Sequence, residues 1–399
     1  MGTSQCHMFY TSPLSIYVLW HPAFPDGEKY FMQLYADLCR NVKDTLDRNI
    51  GMPIFPRSQT AEGAAQPASI VFAEADANAV VILVDDEMFN DPHWEEYIRQ
   101  LLQMPGNNRF FPIAISKYAH GFLPELAAIQ YITLHSLMGG NDDETFKMRY
   151  QRLYMRLLHE CCRMLLNISP SHVQTDDHPP VKLFISHAKK DGETIAIDFR
   201  NYVRAETKLS SFFDANDIAD GHLFSKEIQD ALSTNAVIVV FQTDAYATRE
   251  WCRREVILAK RFKTPIVVVN ALTGFEKRSF PYLGNVPVLR WKIEFDMIIQ
   301  RALYQCLYQL YTGAVLKKSV AMYFPGRNDV EFLPSPPELF NYVDILRLKK
   351  EKGLERIYIL YPDPPLGEEE LSLLNDIDKE VVFLTPTLLP HQNLANGNP

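Results

Sequence analysis

The feature that most constrains this chain is a repeat of its own sequence. The segment Ala79-Val-Val-Ile-Leu-Val-Asp-Asp-Glu-Met-Phe-Asn-Asp-Pro-His-Trp94 aligns without a gap on Ala236-Val-Ile-Val-Val-Phe-Gln-Thr-Asp-Ala-Tyr-Ala-Thr-Arg-Glu-Trp251, at a constant offset of 157 residues. A buried strand, a short loop and a Trp opening a helix therefore occur twice, as in architectures built from repeated units. Upstream, Ile16-Tyr-Val-Leu-Trp-His21 matches Leu183-Phe-Ile-Ser-His187, and downstream Pro112-Ile-Ala-Ile matches Pro265-Ile-Val-Val. The two copies share one order of elements.

Within each copy, apolar runs of four to six residues alternate with helical patterns. That alternation is the signature of βαβ units and a parallel sheet covered on both faces. In the second copy it predicts strands at 182–186, 210–213, 236–241, 265–270 and 288–290, with helices at 193–204, 224–234, 250–261 and 295–311. In the first copy the last helix opens at Asn141-Asp-Asp-Glu144, a capping-box arrangement, and carries an apolar stripe down to about Asn167. The expected organisation is a first domain at 1–168, a linker at 169–181, a second domain at 182–318, a small α/β unit at 319–386 and a disordered tail at 387–399. The small unit's strands are expected at 320–324, 357–361 and 381–384, with helices at 337–350 and 368–377.

Composition narrows the function. With 40 Lys and Arg against 49 Asp and Glu, the net charge of −9 repels phosphate backbones and anionic lipid, so neither nucleic acid nor a membrane is an expected partner. No apolar run approaches the roughly 18 residues of a membrane helix, and residues 1–10 lack a signal-peptide pattern. A cytoplasmic protein is the expectation. The six cysteines, Cys6, Cys39, Cys161, Cys162, Cys252 and Cys306, form no CxxC pair and have no His at metal-ligand spacing. They read as reduced core thiols, and no metal is expected.

In an open parallel sheet, ligands sit beyond the carboxyl ends of the strands. In the second copy that edge receives Ser186-His187-Ala-Lys-Lys-Asp191, Asp214-Ala-Asn-Asp217-Ile218-Ala-Asp-Gly221 and Trp251-Cys-Arg-Arg-Glu255. Trp251 and Glu255 stand four residues apart, which puts a carboxylate and an aromatic plane on one helical face. Singly these residues have ordinary roles: a capping Glu, a core Trp, a turn Asp and a turn Gly.

Together, Phe184-Ile-Ser-His187, Phe212-Phe-Asp214 with its loop to Gly221, the strand at 236–241 and Trp251-Cys-Arg-Arg-Glu255 resemble the successive sequence boxes of a Toll/interleukin-1 receptor (TIR) domain. The resemblance covers about 182–311 well and 15–167 more weakly. It implies a flavodoxin-like α/β fold. It also implies cleavage of the nicotinamide N-glycosidic bond of NAD, as in microbial members of the family, yielding ADP-ribose or its cyclised form in defence or cell-death signalling. In that reading Glu255 is the catalytic carboxylate, while Ser186, His187, Asp214 and Trp251 contact substrate, with Trp251 supporting the glutamate's helix. Asp217, Ile218 and Gly221 belong to a loop used in TIR–TIR assembly. NAD is a substrate, no resident cofactor is implied, and the partners are further copies of the chain and an effector or sensor protein.

The first copy departs at the decisive position. At the offset of 157, Glu255 falls on Ile98, with Glu95 and Glu96 three and two residues before it. The first copy is therefore read as degenerate and non-catalytic, although a shifted helix start would return Glu95 to the cleft. The rival reading is a TIR adaptor that only assembles other proteins. A flavin or nucleotide binder is weaker, because no strand leads into a phosphate cradle.

Overall fold

The computed structural model describes residues 10–43, 49–58, 64–168, 180–207, 209–213, 236–274 and 280–391. The chain divides into two compact units, Met1–Asp176 and Asp177–Pro399. The expected linker lies almost wholly outside the described residues, as does the helix expected at 224–234.

In the first unit, strands β1 (Ser15–Trp20), β2 (Ile54–Arg57), β3 (Asn78–Val84), β4 (Asn108–Ala114) and β5 (Ile132–Thr133) form a parallel sheet in the order β2-β1-β3-β4-β5. Every residue of β1 and β3 is buried, because central parallel strands are covered on both faces. The helices are α1 (Gly27–Leu34), α2 (Asp86–Phe89), α3 (Pro92–Leu102) and α4 (Asp142–Ile168). Helix α3 starts where Asp91 accepts from the His93 amide and Pro92 fills the first turn. Asn141 caps α4 by accepting the Glu144 amide at 2.8 Å, as the sequence pattern predicts.

In the second unit, β6 (Lys182–His187), β7 (Ser210–Phe213), β8 (Ala236–Gln242), β9 (Ile266–Asn270) and β10 (Val288–Arg290) form a second parallel sheet, ordered β7-β6-β8-β9-β10. Numbered within each unit, both sheets run 2-1-3-4-5, the doubly wound flavodoxin-like order. Helices α5 (Glu193–Glu206), α6 (Glu250–Arg261) and α7 (Phe295–Tyr323) accompany this sheet. Phe199 of α5 joins the layers by edge contacts at 5.4 Å to Phe241 of β8 and to Phe295 of α7.

The strand expected at 320–324 does not form. Helix α7 runs through it for 29 residues, because Leu316, Val320 and Phe324 continue a helical stripe that packs on a three-stranded sheet. That sheet is β11 (Val330–Phe332), β12 (Ile357–Leu360) and β13 (Val381–Leu384), parallel throughout, with α8 (Leu339–Glu351) and α9 (Glu368–Ile377) as its crossovers. Strand β12 is buried on both faces, with Ile357 and Ile359 towards Tyr342 and Ile345 of α8, and Tyr358 and Leu360 towards α7. Leu389, in the segment expected as tail, is buried in the α7 cluster.

The two sheets also correct the register of the repeat. In the first sheet Tyr17, Leu19, Val80 and Ile82 face the α3 side, and in the second Phe184, Ile238 and Val240 face the α6 side. Strands β3 and β8 therefore correspond at an offset of 158, not 157. The helices agree: Trp94, Tyr97, Ile98 and Leu101 are the buried face of α3, and Cys252, Glu255, Val256 and Ala259 are the buried face of α6. The matching tryptophans bring sequence positions together that the packing sets one residue apart.

Candidate active site

Ser186 and His187 end β6, and Glu255 projects from the second turn of α6 towards Ser186. Glu255 is 5% exposed and Ser186 1% exposed. The Ser186 hydroxyl donates to Glu255 Oε2 at 2.5 Å and lies 2.7 Å from the hydroxyl of Tyr246, which is fully buried. Burial, and next the neighbouring Glu255 charge, hold the Tyr246 phenol well above its ordinary value, so it carries its proton throughout the physiological range. His187 is also buried; its carbonyl accepts from the Cys252 thiol at 3.4 Å, which ties the end of β6 to the first turn of α6.

The loops around this carboxylate are laced together. Asp191, after β6, accepts from Thr243 Oγ1 at 2.6 Å and from the Ala245 amide at 2.8 Å, in the segment after β8. Asp244 in turn accepts from the Thr273 hydroxyl at 2.8 Å and from the amides of Thr273 and Gly274 after β9. The Thr273 hydroxyl and those amides hold its carboxyl below the usual range. Three successive strand ends are thus joined through two aspartates.

Of the residues expected at the site, the structure brings together the side chains of Ser186 and Glu255, while His187 takes part through its backbone carbonyl. Asp214, Asp217, Ile218 and Gly221 lie outside the described residues. Trp251 departs from its expected role: it is 51% exposed, with the Arg254 guanidinium 5.0 Å over its ring, so it does not buttress the helix from within. One turn earlier than Glu255 on the buried face stands Cys252 instead. Tyr246 carries no site signal in the sequence, because a Tyr between an apolar strand and a helix reads as core. Its hydroxyl becomes informative only once Ser186 is known to face it.

The corrected register supplies the counterpart in the first unit. Ser186, Tyr246 and Glu255 correspond to Leu19, Met88 and Tyr97, all buried in one apolar cluster. Glu255 thus corresponds to Tyr97 rather than Ile98, and the shift does not carry Glu95 inward. Glu96 is exposed and hydrogen bonds Arg99 and Gln100. What this edge holds is His21, whose Nε2 lies 3.4 Å from Asp91, beside Asp85, whose carboxyl is raised by burial.

Among the described residues no helix is long and apolar enough to cross a membrane, and no cluster of His, Cys, Asp and Glu is arranged to hold a metal ion. Cys161, Cys162, Cys252 and Cys306 are buried and form no disulfide, and burial pushes Cys161 up to about 12.

A doubly wound parallel sheet with a buried carboxylate at its carboxyl edge defines the class, and the sequence family agrees with it. Residues 183–287 match the TIR domain family, and the chain carries a TIR domain there. Solved structures similar to parts of the chain include the TIR domains of the activated Roq1 resistosome recognizing the pathogen effector XopQ, at 14% identity over 33% of this chain and 84% of that one, with a TM-score of 0.21. Tagatose-6-phosphate ketose/aldose isomerase from Escherichia coli is similar at 10% identity over 76% of this chain and 83% of that one, with a TM-score of 0.21. The C-terminal domain of glucosamine-fructose-6-phosphate aminotransferase from Francisella tularensis is similar at 9% identity over 77% and 85%, with a TM-score of 0.19. No curated protein matches the chain.

Proposed function

We propose that the TIR domain cleaves the bond between nicotinamide and ribose in NAD, with Glu255 as the catalytic carboxylate. The observation that carries this reading is an acid side chain 5% exposed at the carboxyl edge of the sheet, held at Oε2 by the Ser186 hydroxyl. Burying a carboxylate costs several kcal/mol unless it is compensated, so a chain that keeps one there, where its own first unit has Tyr97, keeps it for chemistry.

The reaction asks little else of the protein. Nicotinamide leaves as a neutral ring, taking the electron pair of the broken N-glycosidic bond, and the ribose carbon becomes an oxocarbenium-like centre. A fixed carboxylate stabilises that charge and accepts hydrogen bonds from the ribose hydroxyls, and preorganised groups of this kind contribute about 3 to 4 kcal/mol. Water then attacks to give ADP-ribose, or a nitrogen of the same molecule's adenine attacks to give a cyclic product. The first unit serves assembly or regulation in this scheme, and activity depends on contact between TIR domains.

The test is nicotinamide release from NAD by the full chain and by Glu255→Gln, which preserves shape and removes charge. The wild type is expected to turn over, with its specific activity rising with protein concentration, and the variant to lose at least about 100-fold. Undiminished release by the Gln variant would reject Glu255, and no release at any concentration would leave the assembling role of the TIR domain as its function.

A further inference from the structure

Glu255 is the end of a line of three buried groups, and an ionised carboxylate at that end sets the direction of the donors along it. The Ser186 hydroxyl has a single proton and gives it to Glu255 Oε2 at 2.5 Å. The contact between Ser186 Oγ and the Tyr246 hydroxyl at 2.7 Å is then made with the Tyr246 proton, because Ser186 has none left to give and the Tyr246 hydroxyl's other acceptor, the Cys252 carbonyl, is farther away at 3.5 Å. The line therefore runs in one direction, from the Tyr246 O–H to Ser186 and from the Ser186 O–H to the carboxylate.

All three members are placed by the fold rather than by flexible loops. Ser186 sits in the β6 ladder opposite Val240, Tyr246 lies in the apolar cluster with Val256 and Ala259, and Glu255 is in the α6 helix. The first unit supplies the comparison: the same fold with Leu19, Met88 and Tyr97 at these positions has lost all three members together. Had the serine and tyrosine been there for packing alone, losing the carboxylate would not have required losing them.

We propose that Tyr246 is a positioning residue of this site, acting through Ser186 to hold Glu255 ionised and fixed in orientation. The inference rests on the NAD-cleavage reading for its functional consequence, but not for its existence. A hydroxyl that already accepts a hydrogen bond is a better donor, so Tyr246 strengthens the Ser186 bond to the carboxylate. A donor to a carboxylate favours its charged form, so removing either hydroxyl raises the protonation midpoint of Glu255. Among the described residues, the Cys252 thiol stands one turn earlier on the same buried helix face and is unchanged in the variants below.

The experiment is a carbon-13 NMR titration of the full chain labelled at the glutamate side-chain carboxyl, with the Glu255 signal assigned by its absence from Glu255→Gln. Ser186→Ala should raise the midpoint by about one pH unit and Tyr246→Phe by about half a unit, each removing one oxygen without changing the packing volume much. The double variant should match Ser186→Ala alone, because Tyr246 reaches the carboxylate only through the serine. The acid limb of kcat/KM for nicotinamide release should move upward with the midpoint, a displacement that loosened packing would not produce. An unmoved midpoint in Tyr246→Phe, or an equal rise from Tyr246→Phe with and without the serine, overturns the relay. A chain that releases no nicotinamide but shows the shifts keeps the relay and loses the enzymatic reading, so the two failures are distinct.

Discussion

Trp94 and Trp251 align residue for residue in the sequence, yet they should respond very differently to truncation. Trp94 is 1% exposed and meets Tyr97 edge-on at 5.8 Å, whereas Trp251 is 51% exposed. Trp94→Ala removes nearly the whole ring from the core and leaves a cavity, a loss of about 3 to 5 kcal/mol, to which the aromatic pair adds about 1 kcal/mol. For Trp251→Ala only about half the ring area is at stake, near 100 Å² or about 2.5 kcal/mol at 25 cal/mol/Å² as an upper limit. Solvent fills the vacated space, and Ala recovers roughly half a kcal/mol in helix propensity, which leaves a cost of about 1 to 2 kcal/mol. The expected difference between the two variants is therefore about 3 kcal/mol. Native-state hydrogen exchange on the full chain, read peptide by peptide, assigns each loss to its own unit. Equal costs in the two units would refute the one-residue offset between the helices and return Trp251 to the interior.

Other outcomes follow from single contacts. Gly27→Ala would place a methyl 2.0 Å from Trp20 Cδ1, so it should destabilise the first unit by about 1 to 3 kcal/mol in the same exchange measurement. With Leu19, Met88 and Tyr97 in place of the polar set, the first unit should contribute no NAD turnover, and full-length Glu255→Gln should release nicotinamide only at the buffer rate. Asp329 and Asp378 are held below the ordinary aspartate value of 3.8, chiefly by hydrogen bonds from Arg327 and Lys349. Their folded values being the lower ones, both contribute stability above pH 3.8 that is lost as the pH falls through those folded values. Protection of β12 should therefore drop with acid below about pH 4, and Asp378→Asn should flatten that dependence.

The architecture was legible because its signals are redundant. Buried apolar runs alternate with helical stripes along the chain, and the repeat states the third strand and the helix after it twice. The place of Glu255, on the helix after the third strand of such a sheet, was legible for a similar reason, while its role was implied by the TIR resemblance. What escaped is what depends on a single residue of phase. The ungapped tryptophan match outweighed a shift that only the burial of Cys252, Glu255, Val256 and Ala259 reveals. At 100° per residue, one step turns a core ring outward. The end of α7 escaped because Val320-Ala-Met-Tyr-Phe324 is apolar enough for a strand, and only the shared face of Leu316, Val320 and Phe324 decides for a helix. Tyr246 escaped because a phenol's hydroxyl has no pattern in a sequence.

Helix α6 ends with Lys263 in the left-handed region at φ 59°, while the Thr264 amide closes back on the Ala259 carbonyl at 2.8 Å. A non-glycine residue in that conformation is uncommon, and here its ammonium is held by Glu331 at 2.7 Å and by the Phe332 carbonyl at 2.6 Å. Just before it, Lys260 and Arg261 pair with Glu338 and Asp344. The small sheet thus grips the far end of the helix that bears Glu255. It is fastened a second time by α7, about 44 Å of unbroken helix shared by both cores. These two attachments tie the small sheet to the helix that bears Glu255 and to the core of the larger sheet, so a change in how the small sheet packs is a change at the end of that helix.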